Sequence, residues 1–544
     1  MQNKNADKNS DDALFWADQF AKQIISRENF FYLDKKNFPF ERYTVKTSAS
    51  LSGVLHIGRL SDTIRSESVL MALQDAGVKT RFIWVAENMD PLRKVPKNVP
   101  SDFKKYIGVP VTDIPDPKGC HSSYAEHHTE EYFEVVDEFV VTEMEKFSMR
   151  EEYKKGSFNI FIKKILEKIE DVREIQNRYR TNPLKKNWSP WTPICENCSK
   201  IVTAHVTNIE NGIVSYVCRD YEFEAATAKG CGFKGENDPL KGNGKLLWKS
   251  EWAAQWARWQ VVSEGAGKEY QVPNSAFWIN GEISEKVLDF PMPVPIFYEH
   301  ITIDNQKMSA SVGNVVYPKQ WLEVAPSELL RMFYNKRLMT SRSFSWKDLP
   351  NFYDEYDHIS KVYFGEITLE NKKEEFHNKR LFAVSHGKDI TKPIKISFSH
   401  AALIAQIFAN EQDAIKSMEK TGHYDKTQHD KIFERVARAK IWIKKYAPEE
   451  VKFELQKYVP LDANLTEKQK QALREAARLL KENDYDEKSL SAKLFDVLKN
   501  TEISTQDFFK AAYKVLLNKE RGPKLASFII ALGKEKVIKL FESV

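Results

Sequence analysis

A short run of small residues between a β-rich segment and a helix constrains this chain most. Arg42-Tyr43-Thr44-Val45-Lys46-Thr47 alternates and is rich in β-formers, so a strand is expected there. Ser52-Gly53-Val54-Leu55-His56-Ile57-Gly58-Arg59 then supplies a loop, with a helix opening at about His56. A second helix is expected over Asp62 to Asp75, with Gly77 as its C′ residue. Thr80-Arg81-Phe82-Ile83-Trp84-Val85 reads as another strand. Strand, helix and strand at this spacing make a βαβ unit, the seed of a parallel sheet.

At 544 residues the chain is too long for one ordinary core, and two to four domains are expected. The rest of it divides by pattern. An amphipathic helix is expected over 11–28 from Phe15, Trp16, Phe20, Ala21, Ile24 and Ile25. Residues 92–131 read as irregular, and Phe133 to Ile175 as helical. Residues 190–245 change to Cys, Gly and Asn with short β-like runs. Helical and α/β pattern resumes at Trp248, and helix signals dominate from about 350. There Thr466 with Gln469 fits a capping box, and Leu473, Ala476, Ala477 and Leu480 share one face. A net charge of +5 excludes a strongly basic architectural protein but permits local basic patches. No segment is apolar for long enough to span a bilayer, and residues 1–12 lack an apolar signal core, so a cytoplasmic protein without membrane contact is expected.

A second motif, Lys307-Met308-Ser309-Ala310-Ser311, complements the first. A helix N-terminus favours phosphate through its N–H groups and dipole. Gly53 and Gly58 let backbone and base approach closely. His56 can donate to a phosphate oxygen and stabilise charge during attack at an α-phosphorus. Lys307 supplies a mobile cation, and Ser309 and Ser311 offer hydroxyls and amides beside Met308. Positioning and electrostatics suffice for nucleotidyl transfer from ATP. Either motif alone is common by chance; the two in this order are much rarer.

These residues resemble the H-I-G-H and K-M-S-K-S signatures of class I aminoacyl-tRNA synthetases. Arg59 stands at the second histidine and Ala310 at the second lysine, which places more of the phosphate work on Lys307. Collinear runs narrow the resemblance to the class I lysyl-tRNA synthetases. They include Met89-Asp90-Pro91-Leu92-Arg93-Lys94-Val95, Ile114-Pro115-Asp116-Pro117-Lys118-Gly119-Cys120-His121 and Gly244-Lys245-Leu246-Leu247-Trp248-Lys249 with Trp252 and Trp256. Tyr298-Glu299-His300-Ile301, Trp442-Ile443-Lys444-Lys445-Tyr446-Ala447-Pro448-Glu449 and Gly522-Pro523-Lys524-Leu525 extend it to the C-terminus.

The resemblance implies an α/β fold: a Rossmann-like parallel-sheet catalytic domain with a zinc-binding insertion and an all-helical C-terminal domain. The boundaries expected are 1–100 and 246–325 for the two catalytic halves, 101–245 for the insertion and 326–544 for a helical anticodon-binding domain. It implies ligation of lysine to tRNA(Lys) through a lysyl-adenylate, with ATP as substrate, Mg2+ beside it and a monomeric chain. Two departures touch the amino-acid pocket. Tyr270 replaces a family histidine, and Ser48 and Ser50 replace a glycine and a threonine in the loop before the first motif. Binding lysine needs acceptors for its ammonium and an apolar wall for its methylenes; Trp248, Trp252, Tyr298 and Glu299 are candidates, though for any one of the aromatics filling the core is the favoured reading.

Four of the five cysteines fall in one stretch. Cys195 and Cys198 have knuckle spacing, and Cys218 and Cys231 can complete a tetrahedral zinc site. Asp116, Cys120, His121 and His127 form a mixed set that can also hold zinc, with His128 as an alternative to His127; the resemblance supports this second site. Tyr334, Lys336, Arg337, Arg342, Phe344 and Trp346 are candidates for phosphate and base contacts. Two rival functions stay open: a class I synthetase for another amino acid, and a zinc-containing tRNA-binding paralogue without catalysis.

Overall fold

The computed structural model describes residues 14–34, 38–50, 56–96, 99–308 and 314–544. Its centre is a five-stranded, wholly parallel sheet. The strands are β1 (Tyr43–Ser50), β2 (Thr80–Glu87), β3 (Glu145–Ser148), β4 (Val261–Gly267) and β5 (Val294–Tyr298), in the order β5-β4-β1-β2-β3. From β1 the chain builds outward to β2 and β3, then returns to the other side for β4 and β5. The switch point therefore lies between β1 and β4, where open α/β sheets bind ligands beyond their carboxyl ends. Buried residues run almost continuously along β2 and β4, as expected where helices cover both faces.

The N-terminal helix α1 covers Trp16–Ile25. A single helix, α2 (Ile57–Asp75), follows β1 where two were expected. Ser61 and Asp62 do not break it because their side chains are engaged: Ser61 Oγ donates to Gly58 O at 2.8 Å and Asp62 accepts from Thr47 Oγ1 at 2.6 Å. Gly77 ends it with φ +81°, Gly77 N–H donating to Gln74 O and Val78 N–H to Leu73 O, the paired bonds of a Schellman motif.

The expected helical stretch from Phe133 to Ile175 is divided. Helix α3 (Tyr124–Val136) begins inside the segment read as irregular and stops early. The edge strand β3 follows, then three short helices at Met149–Lys154, Asn159–Glu167 and Ile169–Asn177. Four residues of β3 carry no alternation long enough to read; a bidentate Arg81–Glu145 pair at 2.6 and 2.7 Å ties the strand to its neighbour. Helix α4 (Trp248–Trp259) carries the tryptophan run onto the main core, which includes Ile83, Val85, Trp252, Trp256 and Val261.

Two compact units emerge. One comprises 1–319, 330–344 and 371–389; the other comprises 320–329, 345–370 and 390–544. The second is helical, with its own core around Leu473, Ala476, Ala477 and Leu480. The capping box forms, Gln469 N–H donating to Thr466 Oγ1 at 3.2 Å and Thr466 N–H to Gln469 Oε1 at 2.9 Å. Among the described residues no helix is long and apolar enough to cross a membrane.

Candidate active site and metal centres

A cleft of about 720 Å³ opens at the carboxyl ends of the strands. Ser48 and Ser50 of β1, Glu87 of β2, Gly265 and Gly267 of β4 and Tyr298 of β5 line it, together with His56, Gly58, Arg59, Lys307 and Met308. Chain topology thus brings the two motifs of the sequence to one cleft. Gly53, Ser309 and Ser311 lie outside the described residues. Lys307 ends a two-stranded hairpin opposite Thr302 and is exposed.

His56 is the N-cap of α2. Its Nδ1 accepts from Gly58 N–H at 3.1 Å, so in the neutral ring the proton sits on Nε2. Burial first, and the Arg59 charge second, lower its pKa and keep the ring neutral. Ile57 N–H donates to Val316 O at 3.0 Å, and Arg59 N–H to His56 O at 2.9 Å. With Gly58 engaged as well, the first three N–H groups of the helix are already used. The amide cradle expected for phosphate is therefore already occupied, and the helix start offers the cleft its dipole and the His56 Nε2–H. A Cβ on Gly58 would stand 2.8 Å from His56 Cε1 and 3.4 Å from Met308 Cε, so this glycine allows the two motifs to meet.

Besides Glu269, which lies 2.9 Å from His300, four carboxylates not singled out in the sequence line the cleft: Asp62, Glu87, Asp90 and Glu264. Asp62 Oδ2 accepts from Thr47, whereas Oδ1 is buried without a hydrogen-bond partner. Gly265 leaves room for that oxygen, since a Cβ there would be 2.0 Å from it. Burial pushes the Asp62 pKa up against the Thr47 and Tyr298 hydroxyls. Glu87 is pushed up too, by burial above all, and receives Gln255 Nε2 at 3.0 Å. Asp90 accepts from Ser50 Oγ at 2.8 Å. Lys245 Nζ lies 3.0 Å from Glu251, and this acid with Asp90 and Glu87 outweighs the burial that would lower the lysine's pKa. Spacing could not have marked these acids as a set, since they come from β2 and the turn after it, from β4 and from a helix interior.

The aromatic candidates form one wall. Trp248 and Trp252 stack with centroids 4.7 Å apart, and Tyr270 meets Trp252 edge-on at 5.3 Å. Tyr298 faces the Arg65 guanidinium at 4.6 Å. Glu299 is corrected as an ammonium acceptor: Lys268 already pairs with it at 2.7 Å. Two RNA candidates are corrected as well. Tyr334 and Phe344 are fully buried, and the Tyr334 hydroxyl donates to Ile57 O, so neither can stack on a base.

The four clustered cysteines converge, each sulfur within 4.8 Å of the others. Cys195 and Cys231 are 3.7 Å apart, and Cys198 and Cys218 3.6 Å. Sulfurs bound tetrahedrally at about 2.3 Å from one zinc would be about 3.8 Å apart, so the set fits. The wide spacing of the second pair is explained by a small hairpin, Tyr221–Glu222 with Thr227–Ala228, inserted between its two cysteines. Gly230 passes so close to Arg219 that a Cβ would sit 2.4 Å from its backbone.

The second cluster also assembles. Asp116 accepts N–H groups from Lys118, Cys120 and His121 at 2.9–3.0 Å, which outweighs its burial and holds it below the usual carboxylate range. His121 Nδ1 and His127 Nδ1 face each other at 3.1 Å, with Cys120 Sγ 3.2 Å from each. Two imidazole nitrogens and a sulfur converging on one point are a donor set for a metal ion. His128 does not join this set; its Nδ1 lies 3.5 Å from Glu131.

Comparison with known families adds two matches. The family described as "tRNA synthetases class I (K)" matches residues 14–388, and "Anticodon binding domain" matches residues 425–541. The chain is 33% identical to the "Lysine--tRNA ligase" of Thermococcus kodakarensis, over 97% of this chain and 99% of that one. It is 33% identical to that of Pyrococcus furiosus, with 97% and 99% covered. It is 28% identical to that of Methanosphaera stadtmanae, with 97% and 98% covered.

Proposed function

The chain belongs to the class I tRNA synthetases (K), and on that premise we infer that it joins lysine to tRNA at the expense of ATP. The observation that carries the reading is the single cleft shared by His56 and by Lys307 with Met308, at the switch point of the sheet. Attack of the lysine carboxylate on the α-phosphorus of ATP would give lysyl-adenylate and pyrophosphate. A terminal ribose hydroxyl of tRNA(Lys) would then accept the lysyl group. His56 Nε2–H would donate to the α-phosphate as charge grows there, and Lys307 would hold the departing pyrophosphate. Mg2+ would offset triphosphate charge when bound.

In this reading, Asp62 takes the lysine ammonium. It offers a buried carboxylate oxygen without a partner, and an incoming cation supplies the countercharge its burial calls for. Tyr298 stands beside it, and the Trp248–Trp252–Tyr270 wall suits the methylenes. Ser48 and Ser50 would contact the amino acid at the β1 end. Gly53, Ser309 and Ser311 remain proposals on the ATP side from their motifs alone. The four cysteines would hold one structural zinc ion, and Asp116, Cys120, His121 and His127 a second. The helical region would read the tRNA, and the chain would act as a cytoplasmic monomer, which light scattering of the purified protein checks.

The test is amino-acid-dependent exchange of pyrophosphate into ATP, run with each of the twenty amino acids and with or without tRNA. Exchange with lysine alone among them is the expected result. Exchange with another amino acid would replace the substrate, and tRNA binding without exchange would leave a non-catalytic paralogue. His56→Ala and Lys307→Ala should each slow exchange by about 100-fold or more.

A further inference from the structure

Glu264 lines the cleft floor and is a tempting ligand for a substrate cation, yet both its oxygens are occupied. Oε1 accepts from Lys46 Nζ at 2.6 Å; Oε2 accepts from the indole N–H groups of Trp252 at 2.9 Å and Trp256 at 2.6 Å. Lys46 and Glu264 are register partners on the adjacent strands β1 and β4, and both are buried. The pair is thus neutral as a unit and anchored on two adjacent interior strands of the sheet. The indole it grips is the middle ring of the aromatic wall: Trp248 stacks on one side of Trp252 and Tyr270 meets it edge-on.

We propose that Glu264 is a positioning residue, whose carboxylate fixes the Trp252 indole and through it the Trp248 and Tyr270 rings as the wall that receives the substrate's methylenes. This deepens the lysine-activating reading and rests on it. An aliphatic chain packed on a flat ring gains little from any single contact, so the wall works only if its rings are held before the substrate arrives. Two indole N–H groups converging on one carboxylate oxygen supply that order, and Lys46 offsets the charge that would otherwise compete with Asp62 for the ammonium.

Two neutral double variants separate hydrogen bonding from charge. Lys46→Met with Glu264→Gln keeps an acceptor for the indoles; Lys46→Met with Glu264→Leu removes it. The first should hold the lysine KM within about threefold of wild type. The second should raise it by about tenfold or more, while kcat and the KM for ATP move by less than about threefold. The near-ultraviolet circular dichroism of the stacked indoles should weaken in the second variant only. Benzothienylalanine at position 252, which keeps both rings and replaces only the N–H by sulfur, should raise the lysine KM in the same direction and decides the matter if the double variants do not fold. Equal lysine KM values in the two double variants, or a fall in kcat at unchanged KM, would overturn the proposal. Wild-type protein without lysine-dependent exchange would sink the functional reading instead, and the dichroism contrast would still judge the anchor.

Discussion

His56 does two jobs with one ring: its Nδ1 caps α2 through Gly58 N–H, which commits the Nε2 proton to the cleft. Gly58 makes this possible, because any Cβ would press on the imidazole and on the Met308 methyl. Its helical backbone would accept alanine readily, and alanine is intrinsically better in a helix by up to about 1 kcal/mol. Displacing the capping imidazole costs a similar amount, so Gly58→Ala should leave thermal stability within about 1 kcal/mol of wild type while slowing lysine-dependent exchange by about tenfold or more. A thermal shift assay and an exchange assay on the same preparation read both. The glycine at position 58 was singled out in the sequence, but as room for a nucleotide rather than for the imidazole. The used N–H groups of the first turn were not legible there, since Val316, the acceptor for Ile57, lies far along the chain.

Among the elements, the cysteine module shows how little apolar surface can be enough. Its own core is Cys195, Ala204, Tyr216 and Cys218, with Cys198 and Phe233 packed on it. Three antiparallel strands, Ala204–Glu210, Ile213–Cys218 and Lys234–Asn237, carry it. The Asn211-Gly212 turn between the first two has φ +52° and +80°, the twist a two-residue hairpin prefers. So small a core would gain much of its stability from a metal crosslink. Elemental analysis should find about two zinc ions per wild-type chain and about one after Cys198→Ser. Protease cutting within 195–237 should rise in that variant. A zinc count near zero in wild type would remove both sites. The convergence of all four cysteines was readable from their clustering; the hairpin that spaces Cys218 from Cys231 was not.

For the whole molecule, the two units set different vulnerabilities. The first takes back residues 371–389, and its helix Lys372–Ser385 is held there by polar contacts. Arg331 Nη2 donates to Val384 O at 3.0 Å, and Arg380 pairs with Asp18 at 2.6 Å and Asp75 at 2.7 Å. A chain ending at residue 344 should therefore be destabilised by about 1–3 kcal/mol, as buried Arg331 keeps Glu67 but loses its Val384 acceptor; urea titration against full-length protein measures it. In the second unit the buried imidazole of His400 stacks on that of half-buried His423, 3.8 Å away. Burial first, then His423, push His400 down to about 3. Its unfolded value is near 6.5, so below that pH the unfolded chain binds the extra proton. Stability is full above about 6.5 and falls toward about 3, by at most about 1.4 kcal/mol per pH unit. His400→Gln should flatten the fall of melting temperature between pH 7 and 5, and an unchanged slope would assign it elsewhere. By itself the amino-acid order determined the βα turn, the lysine motif, the cysteine knuckle and the helical tail, because each is written in neighbouring residues through backbone preference, capping and periodicity. Tertiary structure alone decided the four cleft acids, the gripped Trp252 indole, the burial of Tyr334 and Phe344 and the return of residues 371–389. Those depend on strands and helices hundreds of residues apart meeting at one switch point, and burial, which sets both charge and hydrogen bonding there, exists only once they have met.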